Sequence, residues 1–310
     1  MSLAFDRSAF VDPAIEVLRA GVVARDLCRR GGRGEVAAVF ECSFYLRIGS
    51  DFICVGEPSI GNGPTTLIVA AGVAVRGLRQ GQPAFISSER IAIGGLLFDL
   101  GACQTWRAPP WPQMPSPASL HTTCTDIAQR AATDSPPDSL ASAAFSAAET
   151  PLAGLARPGI AEFGAWLSGA LSKPPPPDPS PPRYARGEGN LEACAARLIG
   201  LGPGLTPSGD DFLMGAMAAL DALKQTNMHA ALGRAVVAAA GHTSPLSASL
   251  LRAAAAGHAG ENLHMMVAAL VTGDANAAIA TAARIGHTSG WDALAGAVVV
   301  GRNSEGYCAI

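Results

Sequence analysis

The spacing of apolar residues changes along the chain from a two-residue rhythm to a three-to-four-residue rhythm, and that change divides it. Ala38, Phe40, Cys42 and Phe44 alternate along one face, the run continues from Tyr45 to Ile48, and Phe52 to Val55 follows Gly49-Ser50-Asp51. This is the pattern of two strands joined by a tight turn. Pro83 to Ser87, Ile91 to Ile93, Leu96 to Leu100 and Cys103 to Trp106 read as further short strands. Ahead of them, Ile15, Val17, Leu18 and Val22 have helical spacing, which runs out in the Arg29 to Gly34 cluster of arginines and glycines. From Ala118 to Leu171 the chain is alanine-rich and helical in period, broken near Asp134 to Asp138 and at Pro151. From Asn190 helical segments near 190–199, 209–225, 228–240, 246–257, 261–271, 274–285 and 290–301 alternate with Gly, Thr, Ser and Pro punctuation.

Proline marks the joints. Pro109, Pro110, Pro112, Pro115 and Pro117 end the strand region. Lys173 to Gly189 is so rich in proline that it fits neither helix nor central strand, because proline lacks the N–H donor and fixes φ. The expected architecture is α+β: a β-rich, barrel-like or sandwiched region over 1–115, a helical segment over 116–172, a Pro-rich linker or loop over 173–189, and an all-helical bundle over 190–310.

Composition narrows the function. Of 310 residues, 49% are hydrophobic and 15% charged, which supplies a core. The net charge of −3 leaves no basic footprint, so neither nucleic acid nor an anionic membrane is an expected partner. The seven cysteines are scattered, without C-x-x-C spacing, and read as buried free thiols in a reducing cytoplasm. Met1 to Ala14 lacks the build of a signal peptide, and apolar runs such as Leu67 to Val75 are too short to span a bilayer. A soluble, cytoplasmic protein is expected.

The chemistry concentrates in Gly200 to Asp211, G-L-G-P-G-L-T-P-S-G-D-D, a loop that feeds the apolar run from Phe212 to Leu220. Ser208 followed by Asp211 has capping-box spacing, which predicts a helix starting at Gly209. The same words return: Ser208 to Ala216 and Ser289 to Ala297 share S-G-x-D-x-L-x-G-A, and G-H-T-S occurs at Gly241 to Ser244 and Gly286 to Ser289. A helix N-terminus offers unpaired N–H groups and the positive end of a dipole, a natural seat for an anion. Gly204 to Gly209 has the glycine spacing of a phosphate loop, but Asp210 and Asp211 occupy the places of its Lys and Ser/Thr. Two carboxylates repel a triphosphate, so an ordinary nucleotide loop is rejected.

With Asp211 engaged in capping, Asp210 is the freer carboxylate, for Mg²⁺, an arginine or a substrate amide. No cofactor is demanded by the motifs, and Mg²⁺ is the one they would allow. His242 and His287 precede helices in identical settings, either packing in their loops or serving as donors near neutral pH. Thr243, Ser247, Leu250, Ala254, Gly257 and Glu261 form a stripe, either a packed helix or a polar edge facing the helix entrances. His258, Glu261 and His264 lack metalloprotease spacing, and their histidines drift apart around a helix. Pro58 to Thr66 is a second Gly-rich loop, a turn or an anion cradle.

The combination of Gly200 to Asp211, the T-x-x-x-S-x-x-L of Thr243 to Leu250 with Gly257 and Glu261, and Gly286 to Asp292 resembles the AllH-type subunit family of oxamate carbamoyltransferase. The resemblance is firm over 190–310 and looser over the β-rich part, where Ile60-Gly61-Asn62-Gly63-Pro64 fits a Gly-Pro loop of the family. It implies reversible carbamoyl transfer, oxalurate and phosphate giving oxamate and carbamoyl phosphate, with FdrA-like and AllG-like partner subunits. For such chemistry the helix-entrance reading casts Gly204, Thr206, Ser208 and Gly209 as an anion cradle, with Thr243, Ser247, Glu261, Thr288, Ser289 and Asn62 as further substrate residues. Asp210, Asp211 and His287 are the expected catalytic groups, Asp210 orienting the amide or a cation and His287 with Ser289 protonating the leaving nitrogen. Two other classes remain: a non-catalytic binding or scaffolding subunit, and a stand-alone Mg²⁺-dependent hydrolase or lyase.

Overall fold

Eight short strands close into a barrel because one of them, β1 (Ile15–Gly21), pairs along both edges. The computed structural model describes residues 14–72, 77–113, 116–171 and 191–304, and the chain forms two compact units, Met1–Pro109 and Pro110–Ile310. In the first unit β1 is followed by helix α1 (Val22–Arg30) and strands β2 (Gly32–Val39), β3 (Ser43–Ile48), β4 (Asp51–Gly56), β5 (Thr66–Val69), β6 (Pro83–Ile86), β7 (Arg90–Ile93), β8 (Leu96–Asp99) and β9 (Gln104–Trp106). The order around the ring is β5-β4-β3-β2-β6-β7-β8-β1, closed by antiparallel pairing of β1 with β5. The ninth strand, β9, adds to β1 in parallel beyond the short β8 ladder. Val17, Phe44, Leu46, Ile53, Val55, Leu67, Ile91 and Phe98 fill the barrel with no exposed surface.

Two expectations are corrected here. Ile15 to Gly21 is strand, and the helix begins only at Val22. The apolar spacing there fits either period, and pairing with β5 decides it. Residues 35–55 form three strands rather than two: Phe40 N donates to Ser43 O at 2.8 Å, a turn that interrupts the alternation while leaving Phe40 exposed. The Gly-Pro loop turns its carbonyls toward α1. Pro64 O accepts from Ala24 N at 2.9 Å, and Gly21 has no room for a Cβ against the Gly63 and Pro64 carbonyls. Asn62 is buried in this unit.

The second unit is helical: α2 (Pro117–Asp134), α3 (Leu140–Phe145), α4 (Pro151–Leu171), α5 (Leu191–Leu198), α6 (Ser208–Ala222), α7 (Thr226–Ala239), α8 (Pro245–Ala255), α9 (Glu261–Thr272), α10 (Ala275–Ala282) and α11 (Ser289–Arg302). The Pro-rich stretch 173–189 lies outside the described residues, as do residues 1–13 and Cys308. Six cysteines are described, all free thiols, and burial pushes Cys28, Cys124 and Cys194 up to about 12. Among the described residues no helix is long and apolar enough to cross a membrane.

Helices α6 and α11 are buried almost all round and pack on each other more extensively than any other pair. The repeated S-G-x-D-x-L-x-G-A supplies the first turns of both. Its second glycine makes the contact: a Cβ on Gly215 would collide with the Ala293 carbonyl, and one on Gly296 with the Phe212 carbonyl. Phe212 and Ala293 occupy the same place in the repeat, so each copy's glycine meets the other copy's fifth residue. The first glycines match as well, Gly209 against the Leu198 carbonyl at the end of α5 and Gly290 against the Ala282 carbonyl at the end of α10. The two helices are thus related by a local pseudo-twofold.

Such a seam tolerates no side chain, whereas an open helical glycine gains from one. Gly296→Ala is expected to lower unfolding free energy by roughly 2–3 kcal/mol through overpacking against backbone. Gly164→Ala in α4, where a Cβ meets nothing within 4 Å, is expected to raise it by about 0.5–1 kcal/mol. Chemical denaturation of the two variants checks the contrast.

Candidate functional site

Three helix entrances meet at the loop before α6. The loop reverses through Gly202 and Gly204, at φ 113° and 97°, a region that L side chains seldom occupy. Asp210 fastens it. Its Oδ1 accepts from Gly200 N at 2.8 Å, and its Oδ2 accepts from the hydroxyls of Thr243 and of Ser247, the latter at 2.6 Å. Ser244 caps α8 by accepting from Ser247 N at 3.0 Å, and its hydroxyl donates to Leu205 O at 2.6 Å. The α11 entrance closes the group, with Ser289 Oγ 3.4 Å from Thr206 Oγ1.

The expected capping box is absent. Helix α6 starts at Ser208 itself, with Pro207 in the cap position and no side-chain cap. Ser208 and Asp211 instead look across the seam. The Asp211 carboxyl is 4% exposed, and burial pushes its pKa well above the carboxylate range. The hydroxyls of Ser289 and Thr206 hold it down, while the carboxylates of Asp292 and Asp210 push it further up. Asp292, with no exposure, is raised to about 7 by burial, against the Leu140 N–H and the hydroxyls of Ser208 and Thr288. The relation is reciprocal: the aspartate of each repeat is influenced by the first serine of the other. Asp292 Oδ1 also accepts from Leu140 N at 2.5 Å, which satisfies the start of α3. Among the described residues, Oδ2 of Asp211 and Oδ2 of Asp292 are buried with no hydrogen-bond partner.

The other expected site residues distribute unevenly. Thr243 and Ser247 come together on Asp210, and Thr206 and Ser289 meet beside Asp211. His287 lies in the turn before α11, its side chain 80% exposed and 3.8 Å from Asp138. His242 is exposed. Glu261 is the first residue of α9, and His264 on that helix stacks on Trp111 at 4.0 Å. His258 lines a crevice of about 10 Å³ with Trp111, Asp221 and His229, room for a single water. Asn62 belongs to the other unit.

A metal would need oxygens to spare. Asp210 has about four acceptor sites and uses three on protein donors, which makes it a clasp on the loop with one site left over. Among the described residues, no three His, Cys, Asp or Glu side chains are grouped as metal ligands. Asp292 was absent from the residues expected on sequence grounds, although the repeat aligns it with Asp211. Its partner Leu140 lies 152 positions away, with no local signal.

The molecule is therefore an α+β protein, a β-barrel of eight strands with a ninth added, followed by a region of helices gathered around paired entrances. Residues 198–300 match the family model described as oxamate carbamoyltransferase subunit AllH. The match spans the Gly-rich loop, the Asp210 clasp and the α6–α11 pair. Neither a search of curated proteins nor one of solved structures found a match.

The buried carboxyls give a pH signature. The Asp292 pKa is higher folded than unfolded, where it is about 3.9. Below pH ~4 both states are protonated and no cost is felt; as pH rises toward 7 only the unfolded state ionises, so stability falls, then levels off. The cost is on the order of 4 kcal/mol. Urea unfolding of wild type and Asp292→Asn across pH 4–8 is expected to show the variant gaining relative stability over that interval. Asp210→Ala strips three donors of their acceptor and is expected to destabilise by roughly 3 kcal/mol at neutral pH.

Proposed function

We propose that this chain is a subunit of a carbamoyltransferase acting on small ureido or amide acids, and that its helical unit binds the anionic substrate where α6, α8 and α11 begin. The observation that carries the reading is the convergence of three helix N-termini and four half-buried hydroxyls, Thr206, Thr243, Ser244 and Ser289, on one Gly-rich loop. Among the described residues the N–H groups of Gly204, Leu205 and Thr206 have no hydrogen-bond acceptor. Such groups, with the positive ends of helix dipoles, favour a carboxylate or phosphate.

The reaction class follows from the family description together with these donors. Oxalurate and phosphate are both anions, and attack of phosphate on the carbamoyl carbon develops negative charge on its oxygen, which fixed donors stabilise. Thr206 and Ser289 are the groups placed to hold that oxygen or the leaving nitrogen, with Ser208 and Asp211 behind them. Asp210 fixes the loop rather than touching substrate. FdrA-like and AllG-like subunits are the partners in this reading, and the cytoplasm its location.

One observation favours a second reading, a binding subunit whose partners supply the chemistry. His287, the expected acid, is exposed and faces Asp138. A stand-alone Mg²⁺-dependent hydrolase has less support, because Asp210 is committed to protein donors.

Melting of the purified chain with phosphate, carbamoyl phosphate, oxalurate or oxamate tests the binding claim. A ligand at a hundred times its Kd stabilises the folded state by about 2.7 kcal/mol. The expected outcome is an upward shift with at least one of these anions, abolished in the Thr206→Ala variant. Equal shifts in wild type and variant would remove this loop as the seat.

A further inference from the structure

The α6–α11 seam buries two carboxyls related by the pseudo-twofold, and among the described residues neither has a basic partner. We propose that Asp211 and Asp292 hold one proton between them and deliver it, through the Ser289 hydroxyl, to the nitrogen that leaves during carbamoyl transfer. The proposal rests on the carbamoyltransferase reading above; the shared proton itself does not.

Geometry argues for the proton. Each carboxyl is buried in the first turn of a helix whose glycine draws it against the other helix, and each is acted on by the first serine of that other helix. Each leaves its Oδ2 buried and unpartnered among the described residues. Two like charges in such a place are costly, and binding a single proton removes the repulsion while giving an O–H donor. Asp210 in the same turn and Asp138 before α3 add negative charge, the latter facing His287. Helices α3 and α10 carry no ionisable side chain. The Asp126 and Arg130 side chains of α2 pair with each other at 3.6 Å. Helix α8 carries Arg252, and its entrance reaches Asp210 only through the Thr243 and Ser247 hydroxyls. On α9, Glu261 is in the first turn and His264 stacks on Trp111.

The path outward is short. Ser289 acts on Asp211 and is itself half-buried beside Thr206, at the loop proposed to seat the substrate. In the transfer, an oxygen of hydrogenphosphate bonds to the carbamoyl carbon as the carbon–nitrogen bond of the ureido acid breaks. The departing nitrogen takes the Ser289 proton, the acid pair restores the hydroxyl, and the pair recovers a proton from the phosphate O–H. Hydrogenphosphate dianion and oxalurate monoanion thus give carbamoyl phosphate dianion and oxamate monoanion with no net proton change. Ser289 is the catalytic residue in this scheme; Asp211 and Asp292 act through it.

The test has two arms. Infrared spectroscopy of the full-length chain at pH 7 is expected to show a buried carboxylic-acid band in wild type and in Ser289→Ala, lost in Asp211→Asn/Asp292→Asn. Absence of that band from wild type overturns the proposal whatever the activity. The second arm measures phosphorolysis of oxalurate in the assembled complex. Ser289→Ala is expected to lower kcat about a hundredfold with KM nearly unchanged. In Asp292→Asn the falling alkaline limb of the pH–rate profile is expected to move to lower pH, because a like charge no longer raises the Asp211 pKa. A wild-type profile in Asp292→Asn, or wild-type kcat in Ser289→Ala, overturns the relay. A wild-type complex with the acid band but no carbamoyl transfer overturns the carbamoyltransferase reading, and the relay with it.

Discussion

Contact between the backbones of α6 and α11 is the constraint on which the helical unit turns. Where Gly215 and Gly296 meet the opposite carbonyls, no layer of side chains separates the helices. Their first turns are thereby dried, and whatever the repeat places at its fourth position is buried. That position holds an aspartate in both copies. Close packing here dictates electrostatics: it creates a pair of high-pKa carboxyls that neither helix would have alone.

The other aspartate, Asp210, has the opposite fate although it is only one residue away. It lies at the third position of the repeat, where the second copy carries Trp291. Its oxygens are used by Gly200 N, Thr243 and Ser247, so it joins the loop before α6 to the entrance of α8. A charged acceptor bound by three donors is a strong local fixture. It holds in place a loop whose glycines would otherwise sample many conformations.

Much of this was legible in the sequence. The helix segments from 190 onward coincide with α5 to α11 within a few residues, because Gly, Pro and Ser/Thr punctuation marks each end. The four strands from Pro83 to Trp106 were equally plain. The β-rich start was harder: Ile15, Val17 and Leu18 fit a helix face as well as a strand edge, and only pairing with residues some fifty positions on settles it. At the site, the likeness of three helix entrances was plain from repeated wording, but neither their convergence on one loop nor the division of labour between neighbouring aspartates was. Capping chemistry is local and was read for Asp211; the seam that claims Asp211 instead is made by a helix eighty residues away.

The pseudo-twofold also sorts the positions of the repeat into those that must match and those that need not. In each half a helix ends, turns, and leads into S-G-x-D-x-L-x-G-A, and the halves exchange equivalent contacts. The axis therefore holds the serine, glycine and aspartate positions alike in both copies and leaves the third position unconstrained. Asp210 there ties down a loop, whereas Trp291 at the same place is buried in the core.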